Sequence, residues 1–205
     1  MMTIMFVFMT DVMYTVKTDL EADMKVTREQ VAEHRTRILD AAGRLFRLRG
    51  FENVTVAEIM KDAGLTHGAF YGHFSSKDAL IAEAIAQTMA PAAVGAKRKT
   101  PAAYADAYLG IDHRDDRTTA CAFSCLGTEA ARGSPELRHA MTESVRRQFE
   151  RFSEGATGST PHEKRRAAIA AWSAMIGAMV LARIVDDEKL SKEILKETRA
   201  SLPLA

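Results

Sequence analysis

The stretch ILDAAGRLFRLRGFENVTVAEIMKDAGLTHGAFYGHFSSKDALIAE, residues 38–83, decides the fold. Its first apolar residues, Ile38, Ala41, Ala42, Leu45 and Phe46, recur at helical spacing and fall on one face. Gly50 supplies the left-handed cap that ends this helix. Thr55 with Glu58 forms a capping box and opens a second, short helix with Val56, Ile59, Met60 and Ala63 inward. Gly64 breaks it. A third short helix is expected over 66–73, pinned by Phe70, and Ser75 or Ser76 caps a fourth over 77–89, stopped by Pro91. Upstream, Thr27 and Gln30 form another capping box, so the first helix should begin near Arg28.

Two short helices joined by a glycine turn make a helix-turn-helix, here residues 55–74. Ala57 is expected at the helix crossing, where a small side chain allows close approach. The outer face of the second helix carries Thr66, His67, Gly68, Tyr71 and His73. Such a helix can lie in the DNA major groove with its N-terminal residues at base edges. Gly68 keeps it slim, and Thr55 sits at a helix N-terminus, where free N–H groups favour a phosphate. Taken singly, His73 reads as a structural polar residue, His67 as a solvated one and Tyr71 as rim packing; the intact motif favours the DNA reading.

The run Gly64-Leu65-Thr66-His67-Gly68-Ala69-Phe70-Tyr71, then His73-Phe74 and Lys77-Asp78-Ala79-Leu80, resembles the DNA-binding domain of the TetR family of bacterial transcriptional regulators. The resemblance covers about a quarter of the chain closely. It implies a homodimer that binds double-stranded DNA at a palindromic operator and lets go when a small molecule occupies the C-terminal domain. Carried over by position, Thr66, Tyr71, His73 and Lys77 resemble phosphate contacts, Thr55 a helix N-terminal contact, and His67 and Gly68 base-reading positions. The chain departs from the pattern at Gly72, where many relatives carry a bulky or basic residue; Arg28, Arg35 and Arg37 are candidates to compensate.

Outward from this stretch the chain reads as further helices, with no strand signal of weight. Lys97-Arg98-Lys99-Thr100-Pro101 is a polar hinge, and helices follow from about Ala102 and Ala120. Ser134-Pro135 and Thr160-Pro161 are cap-plus-proline starts for helices over 135–153 and 161–185. A last amphipathic helix is expected over 191–201. The fold class is therefore all-α: an irregular extension over 1–23, with Met24 as an alternative initiator, a three-helix DNA-binding module over 24–76, and a larger helical effector-binding and dimerisation domain over 77–205.

In that second domain Tyr104, Tyr108, Phe123, Phe149, Phe152, Trp172, Met175 and Met179 are candidate linings for an effector, expected to be largely apolar; the alternative is plain core. The alanine-rich helix 161–185 and the helix 191–201 are placed at the dimer seam by the resemblance; the alternative is that the alanines fill the monomer core. Cys121 and Cys125, four apart on an expected helix, are a candidate thiol sensor, with Arg117 one turn before as a candidate activator; the alternative is small weakly polar core residues.

Composition limits the remaining classes. The chain has 205 residues, 28 Lys+Arg against 27 Asp+Glu, so nucleic acid cannot be held by bulk charge and placement must do it. Two cysteines do not make a disulfide framework, and a cytoplasmic setting is expected. The apolar run at Met1–Thr10 is too short for a membrane span, and 167–185 is interrupted by Ser173 and Arg183. No nucleophile elbow, phosphate-cradling glycine loop or HExxH motif is present, and Asp112, Asp115 and Asp116 read as a solvated loop. No catalytic residue, metal or cofactor is expected.

Overall fold

A computed structural model describes residues 27–89 and 100–204; the extension 1–23, Pro91 and the basic part of the hinge lie outside the described residues. Its helices are α1 (Arg28–Arg49), α2 (Val56–Asp62), a single 3₁₀ helix (His67–Gly72), α3 (Lys77–Thr88), α4 (Pro101–Tyr108), α5 (Ile111–Asp115), α6 (Ala122–Ala130), α7 (Pro135–Glu154), α8 (Pro161–Ile184) and α9 (Glu188–Ser201). The described residues form no sheet, and one isolated bridge joins Ala156 to Leu204. The protein is all-α, with an N-terminal helix-turn-helix domain and a C-terminal helical domain.

The chain divides into two compact units, 1–36 and 37–205. In the first, the described part is the start of α1. Gln30 N donates to Thr27 Oγ1 at 3.2 Å and Thr27 N donates to Gln30 Oε1 at 2.8 Å, the reciprocal box that the sequence predicts.

Unit 37–205 holds two apolar cores. The first gathers Ile38, Ala42 and Phe46 of α1, Ile59 and Met60 of α2, Phe70 and Phe74, and Leu80, Ile81, Ala84 and Ile85 of α3. It extends past residue 76, taking in Ala122, Leu126 and Ala130 of α6 and Leu137 and Met141 of α7. The second core joins Ala105 and Tyr108 of α4, Phe152 of α7, Ala168, Trp172, Met175 and Met179 of α8, and Leu195 of α9. Each fully buried large side chain among these contributes about 1.5–3 kcal/mol. Helices α6 and α7 serve both cores, and Phe123 packs against each.

Helix ends follow local chemistry. Ser76 caps α3, Ser134 caps α7 with Pro135 at its first turn, and Thr160 with Glu163 forms a full capping box on α8. Several expectations need correction. The third helix is 3₁₀, not α, over its six residues. Residues 111–115 form a short helix, not a plain loop. The last helix starts at Glu188, three residues early, because Asp187 accepts from Lys189 N and Leu190 N as its cap. Cys121 is the N-cap of α6 and not inside it.

Trp172 is the chain's single tryptophan and its ring centroid lies 5.3 Å from that of Phe152. Phe152→Ala and Phe46→Ala should each cost about 3–5 kcal/mol. In the folded state, only Phe152→Ala should move the tryptophan emission maximum. Equal emission from both variants under native conditions would contradict the separation into two cores.

Candidate nucleic-acid interface

The 3₁₀ helix is positioned from its buried side. Phe70 is 1% exposed and stacks on Phe74 with ring centroids 5.8 Å apart. Ile59 and Met60 of α2 are fully buried beneath it. Ala57, expected at the helix crossing, is exposed instead; the contact is made by the larger residues of α2.

The turn between α2 and the 3₁₀ helix requires glycine twice over. Gly64 has φ +69°, and a Cβ there would lie 2.6 Å from Arg37 Nη2. Arg37 donates from Nη2 to the carbonyl of Ala63, so part of its guanidinium closes the turn.

Thr55 caps α2. Its Oγ1 accepts from Glu58 N at 3.2 Å and donates to Glu58 Oε2 at 2.8 Å, while Thr55 N donates to the same carboxylate oxygen at 2.8 Å. These bonds, with Arg49 at 2.9 Å, hold the Glu58 carboxyl down at about 2, the Thr55 backbone bond being the largest cause. A folded-state carboxyl held down stabilises the capped form above the ordinary glutamate range, and that support fades as pH falls toward 2.

The opposite face is open. Thr66, at the N-cap, has no side-chain capping bond. His67 and Gly68 are exposed, and nothing lies within 4 Å of where a Cβ on Gly68 would be. Tyr71 is 73% exposed, with its ring edge-on to Phe70 at 5.2 Å. A large aromatic left in water beside a buried one has its hydroxyl aimed outward. Gly72 is exposed with nothing within 4 Å of a Cβ position, so this departure from the resembled pattern leaves an open notch. The structure thus brings Thr66, His67, Gly68 and Tyr71 onto one solvent face. His73 is half-buried at the C-cap of the 3₁₀ helix. Lys77 is also half-buried, and its Nζ donates to Phe51 O at 2.6 Å, tying the first turn of α3 to the start of the α1–α2 turn.

The other candidates fall elsewhere. Tyr104, Tyr108, Phe123, Phe149, Phe152, Trp172, Met175 and Met179 all join or flank the second core. Tyr104 and Tyr108 hydroxyls are pushed above their ordinary range, chiefly by burial. Arg151 lies over the Tyr104 ring at 4.7 Å. Cys121 flanks the second core and Cys125 the first. Burial, first among its causes, pushes the Cys121 thiol up, opposite to the activation expected from Arg117. Arg117 is exposed in the loop before α6, and the arginine that reaches a thiol is Arg183, at Cys125.

Three residues with long reach were not read from the sequence. Arg47 donates from Nε to Thr118 O at 2.8 Å and from Nη1 to Thr88 Oγ1 at 3.2 Å. Desolvation is the main influence on its guanidinium, lowering its basicity. Glu129 of α6 accepts from Phe51 N at 2.7 Å, and Arg183 of α8 donates to His113 O at 2.8 Å. Their partners lie 41 to 78 positions away, beyond any local pattern.

Comparison with known proteins locates the same segment. Residues 38–84 match the family described as bacterial regulatory proteins, tetR family. The segment is similar to the HTH-type transcriptional regulator YdgC of Bacillus subtilis (strain 168), at 49% identity over 53 residues, 26% of this chain and 27% of that protein. It is also similar to the HTH-type transcriptional regulator AcrR of Shigella flexneri, at 44% over 57 residues, 28% of this chain and 26% of that one. These matches span about a quarter of the relatives' length. In fold the likeness runs further. A TetR-family transcriptional regulator from Agrobacterium tumefaciens superposes with a TM-score of 0.68 at 18% identity, over 84% of this chain and 99% of that one. Residues 38–84 thus form a helix-turn-helix segment that matches the tetR family of bacterial regulatory proteins, and the chain as a whole is similar to regulators of that family in fold.

Proposed function

We propose that the protein is a ligand-responsive transcriptional repressor that binds a palindromic operator as a homodimer in the cytoplasm and is released by a small molecule. The observation that carries the DNA half is the open face of Thr66, His67, Gly68 and Tyr71, held rigid by Phe70 and Phe74 on its buried side. It has the shape of a groove-reading helix end, with polar groups turned outward and no bulk at Gly68.

The dimer half rests on α8. Its buried residues, Ala168, Ala171, Trp172, Met175, Ala178, Met179 and Ala182, form one stripe. Along the opposite side Ile169, Ala170, Ser173, Ala174, Gly177, Leu181 and Ile184 are exposed at helical spacing. Ile184 is 71% exposed and Leu181 53%. An apolar, small-residue face of this length suits a second copy of the same helix, packed closely with α9 beside it. The alanines thus divide between core and seam. α8 is long and apolar enough to cross a membrane by length and composition, but its stripe of buried large side chains is that of a core helix.

The effector half rests on the second core. Trp172 Nε1 is buried there without a hydrogen-bond partner, and the ring of Tyr108, whose hydroxyl meets the Ser124 and Cys121 side chains, lies 5.9 Å from the Trp172 ring. Buried polar atoms without partners carry a cost that a ligand with an apolar body and one or two polar atoms would relieve. Because α6 and α7 belong to both cores, a shift in the second reaches α3 and the 3₁₀ helix through side chains already in contact. Release requires that the effector bind the shifted form more tightly than the DNA-bound one. The two reading helices then leave the spacing of about 34 Å that half-sites one DNA turn apart demand.

Selection from fragments of the source genome, followed by a mobility shift, should recover a palindromic site. Raising salt from 50 to 200 mM should weaken that binding by at least about 100-fold. Tyr71→Ala should weaken it by at least about tenfold with unchanged helix content. A folded protein that selects no site at either salt would leave the DNA reading without support.

Leu181→Glu combined with Ile184→Glu should give a folded monomer by light scattering and abolish the two-half-site shift. A double variant that remains dimeric would move the seam away from α8.

A further inference from the structure

The turn that follows α1 forms one wall of a cavity of about 340 Å³, bounded also by the first turn of α3, the end of α6 and the start of α7. That volume lies in the range of small-molecule sites, about 300–1,000 Å³. Phe51, Ile81 and Leu137 make its floor, and all three are buried.

Two charged side chains of the lining are half-buried, Lys77 of α3 and Glu129 of α6. One residue holds both: Lys77 Nζ donates to Phe51 O at 2.6 Å, and Glu129 Oε2 accepts from Phe51 N at 2.7 Å. Among the described residues neither enters an ion pair, with the other or with any third group. Each bond uses one of three donors on the ammonium or one of two oxygens on the carboxylate. A partly desolvated charge of each sign therefore has bonding capacity left over, beside an apolar floor.

The rim argues for one kind of ligand. It adds Glu52, Asp78 and Arg132, all exposed, so the lining carries three carboxylates and two cations. A simple anion meets the carboxylates there, and a simple cation meets the two positive groups. A ligand with both charges can set each against its opposite. The grip on Phe51 supplies the spacing. Its N–H and C=O flank a single α-carbon, as the ammonium and carboxylate of a free α-amino acid do.

We propose that this cavity is a binding site for a free α-amino acid with an apolar side chain, its ammonium on Glu129, its carboxylate on Lys77 and its side chain on the floor of Phe51, Ile81 and Leu137. The ligand adds to the Phe51 bonds and does not replace them, because it uses the donors and acceptors left over. It thereby staples α3 to α6. The site is separate from the second core, to which none of its lining residues belongs. Only the consequence for DNA rests on the regulator reading: such a ligand acts on α3 directly, without passing through an effector in the second core.

The test titrates L-leucine, L-methionine and L-phenylalanine into the full chain, with its isoleucine, leucine and methionine methyl groups labelled for NMR. At least one should shift the Ile81 and Leu137 signals saturably, with a Kd of about 1 mM or lower, and leave those of Met175 and Met179 in place. The analogues of the best binder that lack its ammonium or its carboxylate should each bind at least about tenfold more weakly, since a charge-assisted bond is lost. Glu129→Gln, which keeps an oxygen for Phe51 N but loses the charge, should weaken binding by at least about tenfold with unchanged helix content. The analogue comparison is made on wild type, so it decides even where that variant fails to fold. The proposal is overturned if none of the three amino acids moves the Ile81 and Leu137 signals, or if Met175 and Met179 respond in their place. It is equally overturned if either analogue, or folded Glu129→Gln, binds as the parent pair does. No DNA enters the measurement, so its failure is distinct from a failure of the DNA-binding reading.

Discussion

The backbone of Phe51 ties the turn ahead of the helix-turn-helix to both α6 and α3. Its N–H donates to Glu129 of α6 at 2.7 Å and its carbonyl accepts from Lys77 of α3 at 2.6 Å. The residue before it must be glycine for two reasons. Gly50 has φ +81°, and a Cβ there would sit 2.7 Å from Glu129 Oε1. A left-handed residue that also makes room for a carboxylate cannot be replaced by asparagine, which answers the first demand only. The Phe51 ring meanwhile packs edge-on against Phe46 at 5.3 Å, so the turn is fixed by apolar contact on one side and charge-assisted bonds on the other.

This arrangement explains why the first core does not stop at the helix-turn-helix. Leu126 and Ala130 of α6 lie in the same apolar cluster as Phe46 and Leu80, and Glu129 leaves the same helix to bind Phe51. A lone carboxylate bound to a backbone N–H in a half-buried turn is worth more than a surface ion pair such as Arg49–Glu58, where both side chains are over 40% exposed. Motion of α6 is therefore felt at Phe51 directly, while motion at the surface ion pairs is absorbed by water.

The sequence made local features legible and left distant ones hidden, for one physical reason. Capping boxes at Thr27, Thr55 and Thr160, the Gly64 break and the Phe70 pin depend on residues within a few positions, and their geometry repeats in any helix start or turn. The division of α8 into a core stripe and an exposed stripe needed the structure, because alanine serves either face. The 3₁₀ form of the third helix was not visible either: its Gly68 and Gly72 carry no side chain to favour one helical pitch, and the segment is too short for a periodicity to register. The start of α9 lies three residues ahead of the expected one because Asp187 accepts from Lys189 N and Leu190 N.

Arginine shows the same limit most sharply. By sequence Arg37 and Arg117 looked available to a phosphate and a thiol. The structure instead turns Arg37 onto the Ala63 carbonyl and leaves Arg117 exposed in its loop, while Arg47 and Arg183 reach inward to acceptors 41 to 71 and 58 to 70 positions away. A guanidinium carries five donors on a long stem, so where it ends up is set by which carbonyls the tertiary fold leaves unpaired. Arg47 joins α1 to Thr88 at the end of α3 and to Thr118 ahead of α6; Arg183 joins α8 to the last turn of α5 and to α6. Both converge on α6 and its leading loop from opposite cores. That leaves α6, nine residues long and served by no side-chain cap, held chiefly by its buried face and by these long-range contacts on either side of it.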